Sequence, residues 1–216
     1  MRILGIDPGS GRMGWGVIDQ GAEESVIYLG HGCVVTEQID SMPVRLLSLH
    51  KDLEIVIKQY LPECIVVEQL FFGINARTAM AVRQARGVVM LACAQYEAPF
   101  FEYTPIAVKH LLSGSGKTDK KEMQKVVRRI LSKDKRTLMF SAKDKSFDDA
   151  ADALAIAIHH AWKISGKAVT VLEAAAVIKK EAAVKLSAKK KAARTAKSEA
   201  KKKRTALKKT KAGKTR

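Results

Sequence analysis

Residues 3–10 read ILGIDPGS, and residues 64–68 read CIVVE. Each stretch is a short apolar run that ends in an acid, Asp7 or Glu68, as is typical of buried strands in an α/β sheet. Pro8 favours extended backbone at Asp7, and Gly9 then turns the chain, so Asp7 is predicted to end its strand. Because ligands of open α/β sheets lie beyond the carboxyl ends of adjacent strands, the two acids are predicted to face one site.

The pattern around these two runs predicts the remaining elements. Three further strands are predicted, at Gly14–Asp19, Ser25–Thr36 and Pro99–Tyr103. Helical spacing and capping residues predict helices over Ser41–Leu61, Asn75–Glu97, Lys120–Ser132 and Phe147–Ile164, with one more opened by Pro105. The element order predicts an α/β fold with a five-stranded mixed sheet and helices on both faces.

Charge divides the chain into two regions. The 216 residues carry a net +17, of which +15 belongs to residues 179–216, with 17 Lys or Arg and two Glu. We therefore predict one folded domain over residues 1–167 and a Lys/Ala-rich basic tail over residues 168–216, helical at its start and then disordered. Such a polycation binds nucleic acid by releasing counterions, so the basic tail from Lys179 is predicted to bind DNA.

A third acidic group lies in the last predicted helix. Asp149 and Asp152 are three residues apart and share one helix face, and the alanines around them allow that face to approach the sheet closely. Converging carboxylates repel one another unless a cation is present. With two Mg²⁺ ions about 3.5–4 Å apart, Asp7, Glu68, Asp149 and Asp152 would form a site for hydrolysis of a phosphodiester. By ligand type, Mn²⁺ is an alternative to Mg²⁺.

Each acid also has a purely structural interpretation. The DPGS segment at residues 7–10 is compatible with a simple turn, and Asp148 and Asp149 are both favourable at a helix N-terminus. The placement of all the acids at strand ends and on one helix face favours the metal site. Asp148 is the exception and is expected to be a first-turn residue without a catalytic role.

Four motifs resemble the RuvC family of Holliday-junction resolvases: GIDPGS at 5–10, VEQ at 67–69, QARG at 84–87 and DAADALAIA at 149–157. The resemblance spans about residues 2–165. It implies a ribonuclease H-like fold, a homodimer and the RuvA–RuvB branch-migration complex as a partner. It also implies Mg²⁺-dependent nicking of two opposing strands of a four-way junction in recombination and repair, which leaves ligatable 5′-phosphate ends. Asp7, Glu68, Asp149 and Asp152 match the family's four metal-binding catalytic acids.

The resemblance also points to DNA-binding residues. Residues 109–136 carry a local charge of +7, and Lys109 and Lys120 resemble the family's lysines near the scissile phosphate. Lys125 and Lys133 are better explained as part of a solvated helix face. Phe71 resembles a family aromatic that stacks on a base, although core packing would be favoured without the resemblance. For the homodimer, we expect the Ala-rich face of the Asn75–Glu97 helix at the interface.

Several other functions are disfavoured. The GSGKT segment at 114–118 lacks the first glycine and the preceding strand of a P-loop. His159 and His160 belong to no spaced ligand set, so core or surface roles are expected for them. The N-terminus lacks the features of a signal peptide, and no apolar run is long enough to span a bilayer, so a cytoplasmic protein without a membrane partner is predicted.

Two alternatives from other functional classes remain. An actin- or sugar-kinase-like ATPase shares the fold and an Asp-x-Gly-Ser loop, but it needs two such domains and a second phosphate loop. A non-enzymatic DNA-compacting protein would explain the basic tail, but not the four placed carboxylates. A metal-dependent junction endonuclease explains both features.

Overall fold

The structure is a computed structural model that describes residues 1–21, 25–69, 76–132 and 145–166. Within these ranges, the side chains of residues 76–78, 145, 146 and 149 are not described. All of the described residues belong to one compact unit, Met1–Leu172. Phe71 and the predicted basic tail from Lys179 lie outside the described residues, so both remain predictions.

Five strands form one mixed sheet, as predicted. β1 (Arg2–Asp7), β2 (Arg12–Gln20) and β3 (Val26–Val35) form an antiparallel meander, and β4 (Cys64–Glu68) and β5 (Phe100–Tyr103) continue the sheet in parallel with β1. The strand order is β3-β2-β1-β4-β5. β1 and β4 are therefore neighbours, and the acids at their carboxyl ends lie at the same edge of the sheet.

The predicted helices are also present, with ends that differ by a few residues. They are α1 (Met42–Tyr60), α2 (Ala76–Gln95), α3 (Pro105–Ser113), α4 (Lys120–Leu131) and α5 (Lys145–Ile164). The Thr104 hydroxyl caps α3 by accepting from the amide of Ala107 at 3.2 Å, and the Asp119 carboxylate caps α4 by accepting from the amide of Glu122 at 2.8 Å. None of the described helices is both long and apolar enough to cross a bilayer.

Helices cover both faces of the sheet, as predicted. Leu4, Ile6, Ile65 and Val67 pack with α1 and α2, whereas Ile3, Cys64 and Val66 pack with α3, α4 and α5. Since side chains of a strand alternate between faces, Asp7 shares the face of Ile3, and Glu68 shares the face of Cys64 and Val66. Both strand-end acids therefore belong to the face on which α5 packs.

Two glycines allow α5 to lie close to the centre of the sheet. Gly5 of β1 is paired with Gly16 of β2. A Cβ atom at Gly5 would collide with the carbonyl oxygen of Ala153, and one at Gly16 would collide with the side chain of Leu154. The absence of these side chains sets α5 directly against β1, which brings Asp152 toward Asp7.

The packing of α2 corrects one expectation. Ala85 and Ala92 are fully buried in the chain's own core, because they face the sheet and α1. The opposite side of α2 exposes larger side chains, with Met80 at 59%, Met90 at 43% and Leu91 at 54% exposure. The face available to a partner is therefore not the Ala-rich one.

Candidate active site

Asp7 and Glu68 form the centre of the candidate site. Ile6 and Val67 are paired in the parallel ladder, so the two acids that follow them leave the sheet side by side. Burial and the neighbouring negative charges of Asp7 and Asp152 raise the pKa of Glu68 to about 8, while the positive charge of Lys109 opposes the shift. A hydrogen bond with Asp7 also raises the pKa of Glu68. Asp7, Glu68 and Asp152 thus form one electrostatic group.

The acids of α5 occupy distinct positions. The side chain of Asp152 is about one-third exposed at 33% and faces the same site as Glu68. Asp149 lies one helical turn earlier on α5, but its side chain is outside the described residues. Asp148 is exposed in the first turn of α5.

Two lysines border the carboxylates. Lys120, the first residue of α4, has its ammonium nitrogen 3.1 Å from Oδ2 of Asp152. Lys109 of α3 lies in a pocket open to solvent, which is lined by Glu68, Pro105, Val108, Lys109, Met123, Asp152, Ala155 and Ile156. The two lysines singled out in the sequence are therefore beside the acids. Lys125 instead pairs with Glu122 at 3.2 Å and is 68% exposed.

A compact turn between α3 and α4 places Lys120 beside the site. The Ser113 hydroxyl donates to the carbonyl of Lys109 at 2.6 Å, and its oxygen is 2.6 Å from that of Thr118. The Thr118 hydroxyl donates to the carbonyl of Ser115 at 2.8 Å. The turn follows α3, not a strand, so the geometry is not that of a P-loop. These hydrogen bonds join the segment that holds Lys109 to the start of α4.

The donor set fits a hard divalent cation. Among the described residues, no three His, Cys, Asp or Glu side chains lie close enough together to form a complete ion site, and Asp149 falls outside that comparison. The three interacting acids nevertheless offer only oxygen donors, which Mg²⁺ and Mn²⁺ prefer. The raised pKa of Glu68 also indicates that the positive charge of Lys109 does not offset the burial of this carboxyl and the negative charges of Asp7 and Asp152. Asp7, Glu68 and Asp152, with Asp149 from the sequence, are the residues that would hold such ions.

Sequence reasoning missed a supporting cluster next to Glu68. Tyr103 of β5 is paired with Glu68 in the ladder, and its hydroxyl lies 2.9 Å from Nδ1 of His160. The ring of His159 packs 4.4 Å from the ring of Tyr103. Burial, with the charges of Lys163 and His160, lowers the pKa of His159 to about 4, so this ring is neutral. Both histidines are buried, so the core is the one of the two expected locations, core or surface, that they occupy.

Comparison with known proteins identifies similar sequences. Residues 3–160 match the family model described as crossover junction endodeoxyribonuclease RuvC. The chain is 45% identical over 163 residues to the protein of that name from Chloroflexus aggregans, covering 75% of this chain and 93% of the relative. It is 44% identical over 165 residues to the one from Desulfitobacterium hafniense, covering 76% and 94%.

Solved structures show the same architecture. The RuvC of T. thermophilus, solved in complex with a Holliday junction substrate, matches with a TM-score of 0.68 and 31% identity, covering 78% of this chain and 97% of that chain. The yeast mitochondrial Holliday junction resolvase Ydc2 matches with a TM-score of 0.56 and 15% identity, covering 82% of this chain and 83% of that chain. The second likeness concerns the fold alone, which is the ribonuclease H-like fold expected from the sequence.

Proposed function

The chain belongs to the RuvC family of crossover junction endodeoxyribonucleases, and we propose that the carboxylate cluster of Asp7, Glu68 and Asp152 is its catalytic centre. The enzyme resolves Holliday junctions in recombination and repair by hydrolysing phosphodiesters in two opposing strands. The observation that carries the assignment of the site is that Glu68, Asp152 and Lys109 line one pocket. The negative charge of Asp7 acts on Glu68, and Lys120 pairs with Asp152.

We assign Asp7, Glu68, Asp149 and Asp152 as ligands of two Mg²⁺ ions, with Mn²⁺ as an alternative. When bound, such ions activate water and stabilise the charge that develops on the phosphate. The protein supplies the fixed frame: the ladder holds Asp7 beside Glu68, and Gly5 lets α5 carry Asp152 to them. The apolar lining of Val108, Ala155 and Ile156 limits water on the protein side of the pocket.

The two lysines have a separate role. Lys109 and Lys120 place positive charge next to the carboxylates, where the scissile phosphate would lie. Phosphate contacts of this kind position the strand but do not read the sequence. We assign Phe71, three residues after Glu68 in the sequence, to stacking on a base of the opened junction, an assignment that rests on its match to the family motif.

A homodimer is the assembly that we propose. A four-way junction has approximate two-fold symmetry, so two symmetric cuts call for a C2 pair of active sites. The exposed side of α2 presents residues at the spacing of one helical stripe: Met80, Gln84, Gly87, Leu91 and Ala94. A Cβ atom at Gly87 would meet no atom of the described chain within 4 Å. Glycine costs about 1 kcal/mol in a helix interior relative to alanine, and a closely approaching partner helix would explain its use here.

Two further assignments rest on sequence and family resemblance. We propose that the basic tail from Lys179 strengthens DNA binding through charge. We also propose the RuvA–RuvB branch-migration complex as the partner that delivers junctions to the enzyme.

The test of the proposed function uses a synthetic four-way junction with each strand labelled in turn. We expect paired nicks in opposing strands that need Mg²⁺ or Mn²⁺, are sealed by DNA ligase, and are absent from duplex DNA of the same sequence. Hydrolysis of ATP without nicking would instead support the kinase-like alternative. Junction binding without either activity would support a DNA-compacting role.

A further inference from the structure

We propose that Arg45 of α1 is a positioning residue for the active site, acting with Thr36 to hold the turn that follows Asp7. The inference rests on the proposed function, because it concerns the placement of Asp7 within the catalytic cluster. Arg45 is 38 residues away from Asp7 in the chain, and its side chain acts through the backbone of residues 8–11.

The clamp consists of four hydrogen bonds, of which three are accepted by the consecutive carbonyls of Ser10 and Gly11 and one by the Thr36 hydroxyl. Nη2 of Arg45 donates to the carbonyl of Ser10 at 2.8 Å, and its Nε donates to the hydroxyl of Thr36 at 3.0 Å. That hydroxyl donates to the same Ser10 carbonyl at 2.6 Å. The amide of Thr36 donates to the carbonyl of Gly11 at 3.0 Å. The turn between β1 and β2 is thereby tied both to the end of β3 and to α1.

The surroundings leave the clamp little freedom. Thr36 is only 7% exposed, so its hydroxyl depends on these protein partners for its hydrogen bonds. A Cβ atom at Gly11 would lie 3.4 Å from Nη2 of Arg45, which shows that the guanidinium rests against a residue without a side chain. A Cβ atom at Gly9 would collide with the carbonyl of Arg12. The lack of a side chain at Gly9 therefore permits a tight turn, and Arg45 contacts this turn directly at Ser10 and Gly11.

The position of the turn controls Asp7. Asp7 is the last residue of β1 and is paired with Gly14 of β2, so the turn begins immediately after it. α1 packs on the sheet face opposite α5, and the clamp therefore restrains the turn without occupying the carboxylate cluster. If the clamp is lost, Asp7 keeps its ladder partner but loses the fixed backbone that follows it. Misplacement of a reacting group by about 1 Å can lower a rate by about 100-fold.

The experiment compares Arg45→Ala, Arg45→Lys and Thr36→Val with the wild type and with Lys51→Ala, an exposed residue of the same helix. Cleavage of the four-way junction is measured in single turnover at saturating enzyme, and the junction Kd is measured separately. Binding of Ca²⁺ to the DNA-free protein is measured by calorimetry. We expect Arg45→Ala to slow cleavage by about 10- to 100-fold and to weaken Ca²⁺ binding several-fold, with the junction Kd changed by less than about threefold.

Three other variants test the role of the clamp even if Arg45→Ala does not fold. Thr36→Val retains the backbone bond to Gly11 and should shift rate and Ca²⁺ affinity in the same direction by a smaller factor, whereas Lys51→Ala should match the wild type. Arg45→Lys should recover part of the rate. Wild-type rates in the clamp variants would overturn the inference, as would a loss confined to the junction Kd, which would make Arg45 a DNA contact. Failure of the wild type itself to nick the junction would instead refute the proposed function.

Discussion

The ammonium nitrogen of Lys120 lies 3.1 Å from a carboxylate oxygen of Asp152. The lysine side chain is 58% exposed and the aspartate 33% exposed, so this ion pair contributes little to stability. Its importance is its location, because Asp152 also lines the pocket together with Glu68 and Lys109. Lys120 therefore neutralises Asp152 in the protein alone, and a bound phosphate would compete for the same ammonium.

We predict that Lys120→Met slows junction cleavage by about 10- to 100-fold, since hydrogen bonds to charged groups contribute about 1.5–3 kcal/mol. The concentration of Mg²⁺ at half-maximal rate should stay equal or fall, because the variant no longer places a positive charge beside Asp152. Lys125→Met is the matched control, since Lys125 lies on the same helix and pairs with Glu122. Equal rates for Lys120→Met and the wild type would remove Lys120 from the site.

Substitution of the four proposed metal ligands should abolish cleavage and leave junction binding nearly unchanged. We predict that Asp7→Asn, Glu68→Gln, Asp149→Asn and Asp152→Asn each abolish cleavage, because an amide is a poorer ligand for a hard cation than a carboxylate. The junction Kd should change by less than about threefold, since phosphate contacts supply the affinity. Asp148→Asn should cleave nearly normally, because Asp148 is exposed in the first turn of α5. Full activity in any of the first four variants would exclude that residue from the site.

Ionisation of Glu68 should destabilise the folded, metal-free protein as the pH rises toward 8. Its pKa of about 8 in the folded protein exceeds the value of about 4.3 expected in the unfolded chain. The folded state therefore binds more protons between these two values, and stability must fall as pH rises through that window, by at most about 1.4 kcal/mol per pH unit. We predict that Glu68→Gln, which resembles the protonated acid, is more stable than the wild type at pH 7–8 in EDTA.

Urea denaturation of both proteins between pH 5 and about pH 8 tests this prediction, since that range covers most of the window between the two pKa values. The advantage of Glu68→Gln should grow with pH and should shrink when Mg²⁺ or Ca²⁺ is added, because only the wild type gains a full ligand. An advantage that is constant across the range would show that Glu68 does not titrate in this window.

Much of the fold can be predicted from the sequence because the ends of its strands are marked by local signals. Pro8 and Gly9 end β1, and the apolar run before Glu68 ends in a charge. These signals are sufficient to place Asp7 and Glu68 at one edge of the sheet. Asp152 can be assigned to the same site because the alanines around it predict close packing of α5, and Gly5 and Gly16 supply the complementary surface on the sheet.

The supporting contacts could not be predicted, since they join residues far apart in the chain through backbone atoms or neutral rings. Arg45 reaches a carbonyl of Ser10, 35 residues away, and such an acceptor has no sequence signature. The pairing of His160 with Tyr103 spans 57 residues. The expectation for the face of α2 is wrong for a related reason: alanines are equally suitable for a core and for an interface, and only the packing of α1 and the sheet decides which.

The dimer proposal predicts a specific effect at Gly87. The space around this residue is open in the described chain, so a side chain there should not disturb the fold of one protomer and should favour the helix by up to about 1 kcal/mol. In a close helix pair the same side chain would clash. We predict that Gly87→Gln retains the fold of the protomer, measured by circular dichroism, but weakens dimerisation by at least about tenfold in sedimentation equilibrium, with Gly87→Ala intermediate. Unchanged dimer affinity would place the interface elsewhere.

The basic tail provides the last prediction, which rests on sequence alone. Residues 179–216 carry +15 and almost no large apolar side chains, so they should bind DNA through charge and not through shape. A protein that makes about 6–10 phosphate contacts loses roughly 10³–10⁵ in affinity between about 50 and 200 mM salt. Removal of the tail should therefore weaken binding to junction and duplex alike and flatten the salt dependence of both.

Junction preference should survive this truncation, because we assign discrimination to the proposed dimer of the domain and to Phe71. Cleavage at saturating enzyme should also survive, because none of the proposed metal ligands lies beyond Asp152. Binding of the full-length and truncated proteins to both DNAs across a salt series measures each effect separately. A truncation that erased junction selectivity while leaving the salt slope unchanged would make the tail a recognition element. In that case the charge of residues 179–216 would be secondary to a structure that they form on the junction.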